Sequence, residues 1–450
     1  MNCRITAKGA LTLLVKRFAS PFWYRRRWLN KTQWLSASEL EALQLKLLRK
    51  LIHHCYNTVP YYRQLMDERG IAVDSIRKLE DIKQFPILTK KDILQAGDSI
   101  ISSAYPRRML RIARTGGSTG TPMVIYRNLF SIGNEHAFVK RQWSWAGLSV
   151  SDRSAVLMSR VVADPKKNKG CFYAYDPFMK ELLLSTHHIS LDQAKNYLET
   201  LKAYGIQVLV GYPSAIRILA EKLISEKISL QLKAVLTTSE NITEYERQIM
   251  SQAFGCKVFD FYGSAERVCY IFTCEHGSYH TIPEYGLSEM VPIQARDGAN
   301  SHYKIVSTGF WNFAMPLVRY DTQDIVVKSE KKCPCGRNME VIDSIVGREG
   351  DIIITPSGRR LGVTLLIQIL YVICGIENII ESQFVQDQRD CLTVRYVSGK
   401  TFSKNDLMEA KNQFRMYLPK DMRIKWQEVK VIPRTKDGKV KALISNITVQ

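Results

Sequence analysis

No apolar run in the sequence reaches the roughly 20 residues that a membrane-spanning helix requires. The short stretch from Ala10 to Val15 is broken by Lys16 and Arg17, and no small-residue cleavage site follows it. The chain therefore reads as cytoplasmic. Acidic residues are few against basic ones, 43 to 64, and the formal charge of +21 favours anionic partners: nucleotides, coenzymes, nucleic acid or an anionic membrane face. No recognisable nucleic-acid module and no aromatic-basic stripe accompany that charge, so a nucleic-acid partner is not expected. The ten cysteines are scattered apart from one local pair, which excludes a secreted disulfide framework and leaves thiols or metal ligands. Internal repeats and low-complexity tracts are also missing. At 450 residues the chain exceeds one ordinary core, so a large domain with a smaller companion is expected.

Glycine is concentrated where it counts, in Arg114 to Pro122, RTGGSTGTP. Gly116, Gly117 and Gly120 allow positive φ and close backbone approach. The hydroxyls of Thr115, Ser118, Thr119 and Thr121, with the backbone N–H groups, suit phosphate oxygens. The spacing matches neither Gly-x-x-x-x-Gly-Lys-Ser/Thr nor Gly-x-Gly-x-x-Gly. On its own the loop reads equally as an anion cradle and as a turn rich in small residues.

Residues 1 to 35 form a basic, aromatic arm, with Phe18, Phe22, Trp23, Tyr24 and Trp28 among Lys16, Arg17 and Arg25 to Arg27. It suits either docking on the protein or a peripheral membrane surface. Ser36 and Glu39 form a capping box, and Leu40, Leu43, Leu47 and Leu51 recur at helical spacing, which predicts a helix over about 37–56. Val59-Pro60-Tyr61-Tyr62 ends it, and Phe85 to Thr89 precede another capped segment at Lys90. From 130 to 345, helical patterns alternate with short apolar runs: Ala155 to Met158, Val208 to Val210, Ala234 to Leu236, and Val258 to Phe261. This predicts α/β layers with largely parallel strands and ligand-binding loops at their carboxyl ends. Beyond 345, a glycine-rich turn at Gly347 and Gly350 precedes a helix-like run, Leu361 to Ile373. A strand, Leu392 to Val397, and a basic tail with a turn at Asp437-Gly438 complete a compact α+β module.

Four separated motifs in this order resemble the adenylate-forming superfamily of acyl- and aryl-CoA ligases. The likeness is to its phenylacetate-CoA ligase branch, including the capsular-polysaccharide biosynthesis proteins of that branch. RTGGSTGTP is similar to the phosphate-binding loop, with Thr119 among its catalytic donors. FYGSAE, Phe261 to Glu266, implies Tyr262 against adenine, Gly263 and Ser264 beside the nucleotide, and Glu266 on Mg²⁺. RYDTQD, Arg319 to Asp324, implies Asp324 on the ribose hydroxyls. GREGD, Gly347 to Asp351, implies Arg348 on ribose or phosphate at an inter-domain hinge. The loop after Ala234 to Leu236 would add Ser239 and Glu240 to the same cleft. A weaker match, PRTKDGKVK, Pro433 to Lys441, puts Lys439 in the place of the adenylation lysine.

Two departures stand out: Gln323 where many such enzymes have glycine, and Gly350 where they have an acidic hinge residue. The resemblance implies a large multi-layer α/β domain over 36–346 and a small mobile α+β lid over 347–450. It implies ATP and Mg²⁺ as reactants, a small carboxylic acid as substrate and coenzyme A as the thiol acceptor. A carrier-protein thiol, a sugar amine, or a nucleotide-binding scaffold without turnover are the alternatives.

Cys333-Pro334-Cys335-Gly336 forms a knuckle able to aim two thiolates at one ion, and Cys274 with His280 suits the two arms of a short hairpin. Together they read as a Cys₃His structural zinc site, with His276 as the competing fourth ligand. Cys171, Cys256, Cys269 and Cys374 sit in apolar contexts and read as core.

Overall fold

In the computed structural model the residues described are 20–114, 123–158, 172–186, 188–189, 193–293, 302–348, 352–356, 360–363, 366–367, 370, 379–399, 401–435 and 440–447. The described part of the arm contains helix α1 (Ser20–Thr32), whose Phe22 and Leu29 are buried. The predicted helix is α2 (Ala37–Thr58), opened by the Ser36/Glu39 capping box: Glu39 N–H donates to Ser36 Oγ, and Ser36 N–H to the Glu39 carboxylate. Its buried Leu40, Leu48, Leu51 and Ile52 contribute about 1.5–3 kcal/mol each by leaving water. Pro60, which lacks an N–H, opens α3 (Pro60–Arg69), and Thr89 caps α4 (Lys90–Ala96). A hairpin of β1 (Arg111–Arg114) and β2 (Val124–Arg127) leads into α5 (Leu129–Trp145), capped by Asn128.

The remaining large-domain strands are β3 (Ser154–Met158), β4 (Tyr173–Asp176), β5 (Glu181–Ser185), β6 (Val208–Gly211), β7 (Ala234–Thr238), β8 (Lys257–Gly263), β9 (Tyr270–Thr273), β10 (Tyr279–Thr281), β11 (Gly286–Pro292), β12 (His302–Gly309), β13 (Tyr320–Lys328) and β14 (Val341–Arg348). Among the described residues they make one sheet in the order β11-β12-β13-β14-β10-β9-β8-β7-β6-β3-β5-β4. The four apolar runs singled out in the sequence are the contiguous strands β3, β6, β7 and β8, paired in parallel. Helices α6 (Ala194–Ala203), α7 (Pro213–Ser225) and α8 (Glu244–Phe254) share one core with Leu157, Leu209 and Val235. Trp143 of α5 joins a second core with Val156, Val210 and Leu236. Alternate residues of these strands thus enter different cores, and strands buried on both faces read as continuous apolar runs.

From β8 to β11 the sheet is antiparallel, so the largely parallel arrangement expected holds only from β8 to β5, where β8, β7, β6, β3 and β5 pair in parallel. The antiparallel half packs on α1 and α2. At its centre Arg141 and Glu284, both fully buried, pair at 2.7 Å, and Thr32 Oγ1 donates to the same Glu284 oxygen at 2.8 Å. The charge on each is tolerable there only because of the other.

The small domain carries β15 (Ile352–Ile354) paired with β16 (Arg360–Gly362), and a sheet ordered β19-β18-β17-β20 from β17 (Ile379–Gln388), β18 (Cys391–Ser398), β19 (Arg423–Glu428) and β20 (Leu443–Ser445). Helix α9 (Lys404–Tyr417) packs Phe414 against Phe384 and Trp426. The strand expected over Leu392 to Val397 lies within β18. Leu361, expected at the head of a helix, belongs instead to β16, where backbone pairing with Ile353 takes precedence over its helical spacing. No helix among the described residues is long and apolar enough to cross a membrane.

Candidate functional site

The described parts of the motifs converge at the carboxyl ends of β7 and β8 and on the adjoining face of β13 and β14. Tyr262 is the penultimate residue of β8, and its hydroxyl donates to Asp324 Oδ2 at 2.5 Å, across 62 residues of sequence. Burial and the Asp324 charge hold the Tyr262 phenol far above its ordinary value, so it stays a donor. A carboxylate accepts several hydrogen bonds, so holding Tyr262 is compatible with ribose hydroxyls on the same group. Asp324 lies directly opposite Arg348 in the β13–β14 register, which puts the last residue of β14, and the junction to the small domain, beside it. Glu266 is buried and accepts from Tyr320 Oη at 3.3 Å. Ser264 Oγ is buried without a partner among the described residues, as expected of a donor that awaits a ligand.

Ser239 follows β7 at φ +67°, and Glu240 accepts from Ser214 N–H at the start of α7 at 3.1 Å. Asn241 Nδ2 donates to Val346 O at 3.1 Å and ties this loop to β14. The loop Thr115 to Thr121 and Lys439 lie outside the described residues, as do Gly350, the Asp437-Gly438 turn, Cys171 and Cys374.

Two residues of RYDTQD show what the motif is for. Arg319, at φ +52°, forks Glu289 through Nε and Nη2 at 2.9 Å each, and its Nη1 donates to Phe85 O at 2.6 Å. It clamps the segment before α4 onto β13, where Leu88 N–H donates to Arg319 O. Gln323 sits at φ +60°, the left-handed region, which accounts for glycine at this place in similar enzymes. Gln323→Gly is expected to raise stability by about 0.5–1 kcal/mol, read as a higher urea midpoint at unchanged m value.

Cys274, His280, Cys333 and Cys335 place one ligand atom each within 4.8 Å of one another. Cys274 Sγ and Cys333 Sγ are 3.6 Å apart, and Cys335 Sγ lies 3.5 Å from His280 Nε2. Tetrahedral zinc with its ordinary Zn–S and Zn–N lengths sets ligand separations of roughly 3.4–3.8 Å, so these donors fit the ion. Burial lowers the His280 pKa, which favours the neutral ring, and Nδ1 faces Met339 O at 3.4 Å, leaving Nε2 as the donor atom toward the thiols. Burial pushes the Cys274 thiol up to about 12, a penalty that a divalent cation would reverse.

The β9–β10 hairpin explains the choice of histidine. Cys274 to Gly277 form the turn, Gly277 takes φ +82°, and His276 lies on the turn with its N–H donated to Cys274 Sγ, whereas His280 lies on β10. Cys269 is buried as expected, and Cys256 is half-buried at the start of β8.

Sequence reasoning did not single out Arg127, Glu135 and Tyr270, or Arg267 immediately after FYGSAE. Their side chains form one linked cluster, in which the Tyr270 ring lies against Gly263. A Cβ on Gly263 would lie 2.3 Å from the Tyr270 ring, so only glycine fits.

The family model described as the CapK C-terminal domain matches residues 353–446. Protein CapK of Staphylococcus aureus is 24% identical, covering 99% of this chain and 97% of that protein. Phenylacetate-coenzyme A ligase of Thermus thermophilus is 25% identical over 71% of this chain and 73% of its own length. Among solved structures, 2-hydroxyisobutyryl-CoA ligase in the postadenylation state, in complex with R3-HIB-AMP, superposes with TM-score 0.71 at 17% identity, covering 96% of this chain and 93% of that one. The same ligase with 2-HIB-AMP and CoA in the thioesterification state gives 0.55 over 95% and 93%. The chain is thus a homologue of Protein CapK and of the phenylacetate-CoA ligases, built on the fold of the adenylate-forming acyl-CoA ligases.

Proposed function

We propose that the protein is an AMP-forming ligase that activates a carboxylic acid with ATP and passes the acyl group to a thiol, coenzyme A. The observation that carries this reading is the Tyr262–Asp324 pair, with Glu266 and Ser264 beside it and Arg348 opposite Asp324 at the edge of the small domain. A carboxylate oxygen attacks the α-phosphorus while the bond to pyrophosphate breaks. A thiolate then attacks the acyl carbon and AMP leaves. Two anions must meet in the first step, so positioning and charge neutralisation carry most of the catalysis.

Asp324 orients the ribose, Ser264 adds a donor, and the loop Thr115 to Thr121 supplies phosphate donors. Glu266 would hold Mg²⁺, whose charge offsets that of the phosphates. Arg348 would contact ribose or phosphate at the hinge. The Cys₃His cluster holds zinc in a structural role, with no part in the chemistry. The exposed Trp23 and Tyr24 on α1 would serve a peripheral contact with an anionic surface. A place in cell-surface polysaccharide synthesis belongs to the same proposal and rests on the sequence resemblance.

The test is pyrophosphate release from ATP across a panel of carboxylic acids, with AMP and thioester measured with and without coenzyme A. Glu266→Gln and Asp324→Ala should each lower carboxylate-dependent ATP–pyrophosphate exchange at least about tenfold, the scale of one lost charged contact. Unchanged exchange in both variants would sink the assignment of the nucleotide site.

A further inference from the structure

A charged recess shares the Gly263–Glu266 turn with the nucleotide site and is unused by the chemistry above. Arg267 follows Glu266 directly, pairs with Glu135 of α5, and donates from Nη1 to Tyr270 Oη at 3.0 Å. Tyr270 Oη donates in turn to Glu135 Oε1 at 3.1 Å. Arg127, the last residue of β2, reaches Glu135 only at 3.7 Å, and no described residue accepts a hydrogen bond from its side chain. Nε of both arginines is buried and lacks a partner among the described residues.

Two guanidiniums therefore share one carboxylate, a local excess of one positive charge. Burial and the neighbouring Arg267 both lower the Arg127 pKa, and an added anion would relieve that strain. The side chains of Arg127, Glu135 and Arg267 keep 16%, 17% and 24% of their surface accessible, so a small ligand can reach them. The Tyr270 ring lies against Gly263, next to Tyr262, and so joins this recess to the adenylation motif.

We infer that the recess receives a second anionic group of the acid substrate. The acid activated is then a dianion, carrying a carboxylate or phosphate distal to the reacting carboxylate, and not an apolar or aryl monocarboxylate. This rests on the adenylating reading for the reaction, but the recess itself can be tested by binding alone. The distal group would form charge-assisted hydrogen bonds to the Arg127 guanidinium, with Arg267 held in place by Glu135 and Tyr270.

The experiment compares matched acids: succinate and 3-phosphonopropionate against butyrate, and 4-carboxyphenylacetate against phenylacetate. Each is followed by ATP–pyrophosphate exchange and by calorimetric binding to wild type, Arg127→Met and Arg127→Lys. The expected result is at least about a tenfold preference for a dianion in wild type, lost in Arg127→Met and largely restored in Arg127→Lys. The better of succinate and 3-phosphonopropionate identifies the distal group as carboxylate or phosphate.

Equal or better use of the monocarboxylates by wild type would overturn the inference while leaving adenylation standing. An equal loss of both acid classes in Arg127→Met would also overturn it, because Arg127 would then be holding the reacting carboxylate. Exchange with none of the acids, together with Arg127-dependent binding of a dianion, would remove the adenylating reading and keep the recess. Should Arg127→Met not fold, Glu135→Gln carries the test: with one acidic partner fewer, dianion binding should tighten several-fold, and unchanged or weaker binding overturns the inference.

Discussion

Lys439→Ala is expected to lower ATP–pyrophosphate exchange by about a hundred- to a thousandfold while ATP binding changes little, because a charge that meets the reacting phosphate and carboxylate acts mainly in the transition state. Lys439 lies outside the described residues. Its neighbour Val440 bridges Arg434 on the small domain, so the lysine belongs to whatever motion that domain makes. If the small domain swings after adenylation, the lysine serves the first half-reaction alone. Supplied with a synthetic acyl-adenylate, Lys439→Ala should then make thioester at close to the normal rate in a single turnover. Equal loss of both half-reactions would make Lys439 a general binding or folding residue, and loss of neither would move the role to Lys436 or Lys441.

Cys335→Ser should remove the metal and lower thermal stability together. Purified protein is expected to carry about one zinc per chain, and the variant to lose it along with roughly 3 kcal/mol or more, a fall of about 4–5 °C or more in Tm for a domain of this size. Cys335 and His280 are both buried, so the deleted ligand leaves its partners in a place water does not fill well. Elemental analysis showing no metal in protein prepared without chelator would dispose of the site. Exchange activity that survives zinc loss in the still-folded fraction would confirm that the ion is structural.

The parts legible in the sequence share one physical property: the information is local. The strands β3, β6, β7 and β8 announce themselves because both faces are buried and each is followed by a polar loop. The capping boxes at Ser36 and Thr89 need only four residues to recognise. The antiparallel half is less legible because one of its pairings, His280 with Val341, joins strands about sixty residues apart, while the others join consecutive strands. Leu361 misleads because an apolar residue that begins a helix-spaced run can equally pair in a short strand. The Cys/His set, with His280 ahead of His276, was readable from its spacing, and the turn at Gly277 bears the ranking out by holding His276. Arg127, Glu135 and Arg267 come from a strand, a helix and a loop, and no window of sequence contains them together.

The position of β14 has a consequence for how the chain comes off the ribosome. Within the sheet β14 fills the gap between β13 and β10, so β10 must wait for some sixty further residues before its second neighbour exists. Until then the edge of the β9–β10 hairpin stays open to other chains, the situation in which nascent polypeptides pair wrongly. Cys274 and His280 emerge before that interval opens, and Cys333 and Cys335 arrive just ahead of β14. A cation taken up by the two pairs would bring the late strand to its slot and shorten the search for a non-local partner. Yield of soluble protein from zinc-starved cells should then fall more steeply than the stability of protein stripped of metal after folding.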